Sequence, residues 1–286
     1  MELKEILRPI SEELSQVEGE LKEQIKLIGI KHSSENHKFV NRIISHLFNV
    51  PGKRLRPALV LLSAKAVNEL QKSDIKQFVK LATAIELIHS ASLIHDDIID
   101  ESKYRRHQLT LNKEFGNHIA VLVGDILYSQ FFSLLISIKI KNHKLYERLS
   151  QIFCDITKKM CFGEIFEYKI KKSRINPSFK EYLEVIENKT ASLFSVSCQS
   201  GGMVNGADEK ISTALANYGL YFGLSFQIVD DYMDGDSIFN FDISMIEKAK
   251  EYADRAKGEI KVLKERSIKK IFFNLCDYVT ERVKEI

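Results

Sequence analysis

Asp96, Asp97 and Asp100 stand in the run Asp96-Asp97-Ile98-Ile99-Asp100, and Asp230, Asp231 and Asp234 repeat that spacing in Asp230-Asp231-Tyr232-Met233-Asp234. Side chains four apart on a helix lie one turn apart on one face, so each run brings its outer carboxylates together with the middle one beside them. Like charges that close repel, and a cation relieves the repulsion. A single run of this kind reads as readily as a solvated acidic helix end. Two of them, one after Ala91-Ser92-Leu93-Ile94 and one after the apolar stretch Leu220 to Val229, point to a bound cation. An all-oxygen donor set with no histidine suits Mg²⁺, which is held by a few carboxylates and completed by water and substrate phosphates. The substrate implied is a diphosphate.

Basic groups must complete such an anion site. Lys53-Arg54-Leu55-Arg56 lies in a loop bracketed by Pro51 and Pro57, and Arg105-Arg106 follows the first acidic run. Arginine's planar fork matches phosphate oxygens. Taken alone, the first cluster is more often a solvated loop or a nuclear-localisation-like patch; the second, beside a carboxylate trio, is harder to read that way. The chain as a whole carries 42 basic and 39 acidic side chains, net +3. No global field draws it to nucleic acid or an anionic membrane, so anion binding has to be local.

The elements that position these groups are helical. With 286 residues, 44% hydrophobic and 28% charged, the chain can bury a substantial core. Apolar residues recur at three- and four-residue spacing almost throughout, which predicts an all-α bundle with helices near 2–29, 36–49, 56–70, 74–101, 115–138, 142–172, 178–189, 191–203, 208–234 and 243–284. Pro9 bends or delays the first helix, Pro177 separates two others, and Gly201, Gly202 and Gly206 mark a turn. Neither an internal repeat nor a Pro- or Ser-rich linker is present, so residues 1–286 are expected to form a single domain. The apolar stretch His118 to Ile138 approaches the roughly 20 residues of a membrane span, but Gly124-Asp125 interrupts it and Ser129, Gln130 and Ser133 follow. It is expected as a central helix buried on nearly all sides, with no transmembrane span. Cys154, Cys161, Cys198 and Cys276 have no zinc or redox spacing and are expected as buried thiols. No apolar segment follows a basic start at Met1, so no secretory signal is expected, and a reducing, cytoplasmic location is the expectation.

In chain order, Gly52-Lys53-Arg54-Leu55-Arg56-Pro57, DDIID at 96–100 followed by Arg105-Arg106, Gly124-Asp125, Lys189-Thr190-Ala191 and FQIVDD from Phe226 to Asp231 form one pattern. Over residues 40 to 234 the chain resembles the trans-prenyl (polyprenyl) diphosphate synthases, of the geranylgeranyl to octaprenyl type. The resemblance implies the all-α isoprenoid synthase fold and a prenyltransferase that condenses isopentenyl diphosphate with an allylic diphosphate such as farnesyl diphosphate. It implies that Asp96, Asp97, Asp100, Asp230, Asp231 and Asp234 hold Mg²⁺, expected as three ions, on the allylic diphosphate. Arg105 and Lys189 would contact the same diphosphate. Lys53, Arg56, His89 and Arg106 would bind isopentenyl diphosphate, Gln227 would sit near the allylic end, and Thr190 would be a further substrate-binding residue. It also implies a homodimer, with the His118–Ile138 helix as the candidate interface. No general base stands out.

Product length is read backwards along the helix from Asp96, at about 5.4 Å per turn. Ala91 and Ser92 lie about one turn deeper, Ile88 about two and Ile85 about three. A bulky aromatic in the first layer stops growth near farnesyl in this family, so the small pair implies geranylgeranyl or longer, with a quinone side-chain precursor preferred. Phe131 and Phe132 are candidates for the tunnel floor, although an aromatic pair in a helix is more often core. The chain departs from the family pattern after Asp234, where several dozen residues carrying Gly-Lys segments are absent beyond about residue 236, either as a true deletion or because this sequence omits them. His107 and Leu109 stand where glycine and proline are usual. Two other readings stay open: a noncatalytic or regulatory subunit of a heteromeric synthase, which has no need of intact acidic motifs, and a terpene cyclase, which has no need of Lys53, Arg56, His89 and Arg106.

Overall fold

Helices account for nearly all regular structure, as the apolar spacing requires. The structure, a computed structural model, describes residues 1–28, 35–48, 52–71, 73–140, 142–173, 176–235 and 244–285. Pro51 and residues 236–243, on which the expected departure from the family pattern falls, lie outside them. The chain gathers into two compact units, one made of Glu12–Pro57 with Val79–Lys139, the other of Met1–Ser11, Ala58–Phe78 and Ile140–Ile286.

The first unit is built on α2 (Ser11–Ile28), α3 (Glu35–Phe48) and α5 (Ile75–Ile99). Every residue of α5 from Leu81 to Ile88 is buried, Thr83 and Glu86 included, so it is a helix enclosed on all sides. The helix ends at the first acidic run: the Asp100 amide donates to the Asp96 carbonyl, and Glu101 turns left-handed at φ 52°. Two short strands follow, β1 (Tyr104–Arg105) and β2 (Gln108–Leu109), paired antiparallel with Tyr104 opposite Leu109. The sequence contains no strand signal long enough to predict them. Their two-residue turn, Arg106-His107, has φ 51° and 65°, the doubly left-handed turn whose twist suits a hairpin. Glycine is the residue that adopts this without a Cβ penalty, and its absence at His107 leaves strain. His107→Gly is expected to raise stability by about 1 kcal/mol, read as a higher urea midpoint at unchanged slope; a lower midpoint would mean the imidazole holds the turn. A short α6 (Leu111–Phe115) leads into α7 (Asn117–Ile136). Gly124 lets α7 approach α5: a Cβ there would sit 2.1 Å from His95 Nε2.

α7 corrects one expectation. It is long and apolar enough to cross a membrane, yet it is not buried on nearly all sides, because Val121, Leu122, Ile126 and Ile136 are exposed. Only one face, with Ala120, Val123, Leu127, Phe131 and Leu134, packs inward.

The second unit holds α1 (Leu3–Ile6), most of α4 (Leu55–Val67), α8 (His143–Ser173), α9 (Phe179–Ile186), α10 (Ser192–Val204), α11 (Glu209–Asp234), α12 (Met245–Glu259) and α13 (Arg266–Glu281). The expected first helix is broken by a 3-10 turn over Arg8–Ile10 at Pro9, which has no N–H to continue an α-ladder. The expected 243–284 helix is likewise two, separated at Leu263–Glu265, with Glu265 capping α13 through the Ser267 amide. α9 opens with a reciprocal capping box between Ser178 and Glu181. It runs into α10 through a π turn at Glu187–Ala191 rather than a break. α11 ends at Gly235, φ 64°. The cysteine expectation holds for Cys198 and Cys276, whereas Cys154 and Cys161 are exposed. They do share a face of α8, but the buried stripe is Leu149, Phe153, Ile156, Met160 and Gly163, about a third of a turn round.

Candidate active site

In the first unit, Asp97 points inward at the end of α5 and is 6% exposed, while Asp96 is half-buried and Asp100 exposed. Arg105, brought back by the hairpin, closes on Asp97: Nε donates to both carboxylate oxygens at 3.0 Å and Nη2 to Oδ1 at 2.8 Å. Asn112 Nδ2 donates to the Asp97 carbonyl at 3.0 Å and Thr110 Oγ1 to the Ser102 carbonyl at 2.7 Å, tying the hairpin to the helix end. A pocket opens here, lined among others by Arg54, Glu86, His89, Asp97, Arg105 and Arg106. Lys53, exposed on its loop, and Arg56 are not in that lining.

Arg56 still contributes, through His89. Its Nη1 donates to His89 Nε2 at 3.0 Å. A guanidinium has no acceptor, so this nitrogen is unprotonated and the imidazole proton sits on Nδ1. Burial first, then the positive charges of Arg56, Arg106, Arg105 and Arg54, push the His89 pKa well below 6.5. A depressed histidine pKa means that the unfolded chain takes up a proton the fold refuses. The stability this contributes is present above the unfolded value of 6.5 and lost as pH falls through it. At pH 5 the loss reaches up to about 2 kcal/mol. His89→Gln, which keeps an acceptor for Arg56, is expected to flatten the fall in melting temperature between pH 7 and 5; an unchanged slope would place the acid sensitivity elsewhere.

Arg54 was marked in the sequence only as part of the basic run, with no role of its own. It is held by Glu18 of α2 and, at 2.5 Å, by buried Glu86 of α5, and its backbone is left-handed at φ 53°. Its position in the basic run was the available signal. Along α5, Ala91 and Ile88 are fully buried, whereas Ser92 is half-buried with its hydroxyl on the His89 carbonyl at 2.9 Å. Phe132 is half-buried and meets fully buried Phe131 edge-on, centroids 4.8 Å apart.

In the second unit, Lys189-Thr190-Ala191 occupies the π turn, a form that recurs at functional sites. Gly163 of α8 makes room for it, since a Cβ there would lie 2.5 Å from the Lys189 nitrogen. Lys189 Nζ meets Glu164 Oε2 at 2.6 Å and Glu167 Oε2 at 2.5 Å. Thr190 donates to Gln227 Oε1 at 2.9 Å, which orients the amide so that Nε2 donates to Asp231 Oδ1 at 2.8 Å. The Tyr182 hydroxyl donates to Asp231 Oδ2 at 2.6 Å. Burial pushes the Asp231 carboxyl up to about 6, against the lowering effect of those two bonds. Arg282 reaches Asp230, 2.6 Å between Nη1 and Oδ1, and Asp234 is exposed. Glu164, Glu167, Tyr182 and Arg282 were all missed from sequence. A buried glutamate in the apolar stripe of α8 was a signal for Glu164; nothing local marks Arg282.

The donors are carboxylates alone, which fits Mg²⁺. Among the described residues no group of three His, Cys, Asp or Glu side chains is placed to hold a metal ion unaided. Substrate oxygens would have to complete the coordination.

The polyprenyl synthetase family profile matches residues 37–238. The chain belongs to the polyprenyl synthetase family. Among its relatives is a prenyl transferase of Cyanidium caldarium, 36% identical over 228 residues, 80% of this chain and 66% of that protein. Heptaprenyl diphosphate synthase component 2 of Bacillus subtilis (strain 168) is 35% identical over 225 residues, 79% of this chain and 59% of that one. This polyprenyl synthetase family member thus spans less than two thirds of the length of each of those two relatives. A decaprenyl diphosphate synthase from Rhodobacter capsulatus has a similar solved structure, with a TM-score of 0.83, 26% identity and 99% of both chains covered.

Proposed function

We propose that residues 1–286 act as one prenyltransferase domain that joins isopentenyl diphosphate to an allylic diphosphate, farnesyl or similar, giving a geranylgeranyl or longer polyprenyl diphosphate. A quinone side chain is its preferred destination and the cytoplasm its location. The observation that carries this reading is the pocket where buried Asp97 and neutral His89 meet Arg54, Arg105 and Arg106, an assembly suited to a polyanion and its counter-ions. Mg²⁺, when bound by the aspartates of both motifs, would neutralise charge on the departing diphosphate.

The residues of the chain do the rest. Arg105 and Lys189, now paired with Asp97 and with Glu164 and Glu167, would exchange those partners for oxygens of the allylic diphosphate, stabilising charge where it builds. Lys53, Arg56 and Arg106 would hold isopentenyl diphosphate, and His89 has its Nδ1 proton to offer the same group. Thr190 and Gln227 would sit beside the allylic end. Holding the double bond close to the ionising carbon accounts for a large part of the acceleration. Incubation of farnesyl diphosphate and labelled isopentenyl diphosphate with Mg²⁺ is expected to give products longer than farnesyl, lost in Asp96→Ala. Failure of the chain alone would favour a second reading, a subunit of a heteromeric synthase, supported by the likeness to a protein named as one component of such an enzyme.

A homodimer goes with the first reading. Leu122, 57% exposed among Val121, Ile126 and Ile136, is the contact we would expect at its interface. Leu122→Glu is expected to shift the elution of the dimer to that of a monomer, and a wild-type monomer would dismiss the assembly.

A further inference from the structure

Arg282 follows α13 in a 3-10 turn and lies along one face of α11, where Phe226 and Asp230 stand four residues apart. Its guanidinium carbon is 5.5 Å from the centroid of the Phe226 ring. Its Nη1 is 2.6 Å from Asp230 Oδ1, with the arginine side chain 12% exposed and the aspartate 29%. A charge buried to this degree is kept only against a counter-charge. This contact differs in kind from that of Arg105 on Asp97. There, three aligned hydrogen bonds join the pair. Here Nη1 and Oδ1 meet without the donor angle of a hydrogen bond. Such a contact satisfies the charge of Asp230 but forgoes directional bonding, so another cation can replace it at smaller cost.

A divalent ion taking the same oxygen, at about 2 Å for Mg²⁺, would meet the positive charge of a guanidinium already 2.6 Å from that oxygen. Two positive centres held on one oxygen repel each other, which favours departure of the guanidinium when the ion binds there. Resting on the metal role proposed for Asp230, we propose that Arg282 is a placeholder cation, neutralising this carboxylate in the metal-free protein and leaving Oδ1 when a divalent ion binds. The ring of Phe226 keeps the displaced guanidinium nearby through its π face. Metal affinity at the second motif is then set by a competition that the chain itself supplies, and sequence gives no hint of it because Arg282 lies about fifty positions from Asp230.

The test is calorimetric titration of Mn²⁺ into the full chain with inorganic pyrophosphate present, for wild type, Arg282→Gln, Arg282→Lys and Asp230→Asn. Arg282→Gln is expected to tighten the apparent Kd for Mn²⁺ about tenfold. Arg282→Lys, which keeps the charge but loses the planar stack on Phe226, should fall between Arg282→Gln and wild type. In EDTA, Arg282→Gln should melt below wild type, with the gap closing once Mn²⁺ and pyrophosphate are added. Unchanged or weaker Mn²⁺ binding in both Arg282 variants, while Asp230→Asn also weakens it, would overturn the placeholder and leave the metal role of Asp230 standing. Wild-type Mn²⁺ binding by Asp230→Asn would instead remove the metal reading on which the proposal rests.

Discussion

Asp97→Ala is expected to lower kcat/KM for chain extension by about 10³-fold or more, with the helical circular dichroism spectrum intact. Two losses combine. One carboxylate leaves the first acidic motif, and Arg105 loses the partner that accepts all three of its hydrogen bonds. Because Asp97 is 6% exposed while Arg105 retains 41% side-chain exposure, the freed guanidinium can turn to water, and the stability cost should stay near 1 kcal/mol. Activity and stability therefore separate in this variant. Arg105→Lys tests the other side of the pair: a point charge replaces the fork, and the expected result is a smaller loss, mostly in KM for the allylic substrate. If Asp97→Ala turned over like wild type, Asp97 would be only the anchor of the hairpin, and the acidic run would lose its proposed metal role.

Ser92→Phe is expected to shorten the product, moving the main species to farnesyl or geranylgeranyl length. Ser92 is four residues before Asp96 and shares its face of α5, and its half-buried side chain leaves a short hydroxyl bonded to the His89 carbonyl. A phenyl ring there would block the path along the helix about one turn below the diphosphate end. Of the pair Ala91 and Ser92 marked in the sequence, the structure favours Ser92 for this prediction. Ala91 is completely buried, so a large side chain at that position would overpack the core, at about 1–3 kcal/mol, before it could measure a product. Radiolabelled products separated by reverse-phase chromatography decide the matter: an unchanged length distribution in a folded Ser92→Phe would place the ruler elsewhere, with Ile88 and Phe132 next in line.

The sequence by itself determined the class of fold and the chemical type of the site. Periodic apolar residues leave few alternatives to helices, and three carboxylates within one helical turn are close neighbours whatever surrounds them. The same local logic marks Arg105-Arg106 and the Lys53 to Arg56 run as anion-binding candidates. The local pattern did not show what each charge does in the absence of ligand, since that depends on which distant residue the fold brings up. Arg105 meets Asp97 only through a hairpin too short to carry a strand signal. Lys189 reaches Glu164 and Glu167 because Gly163 admits a π turn, and Arg282 meets Asp230 only through the packing of the helices between them. Burial is likewise tertiary. It neutralises His89 and lifts the Asp231 carboxyl, and it parts Cys154 and Cys161 on the outside from Cys198 and Cys276 within. Spacing along a helix is a local property, set within a few residues; ion pairing and desolvation depend on distances through space, and only the folded chain sets those.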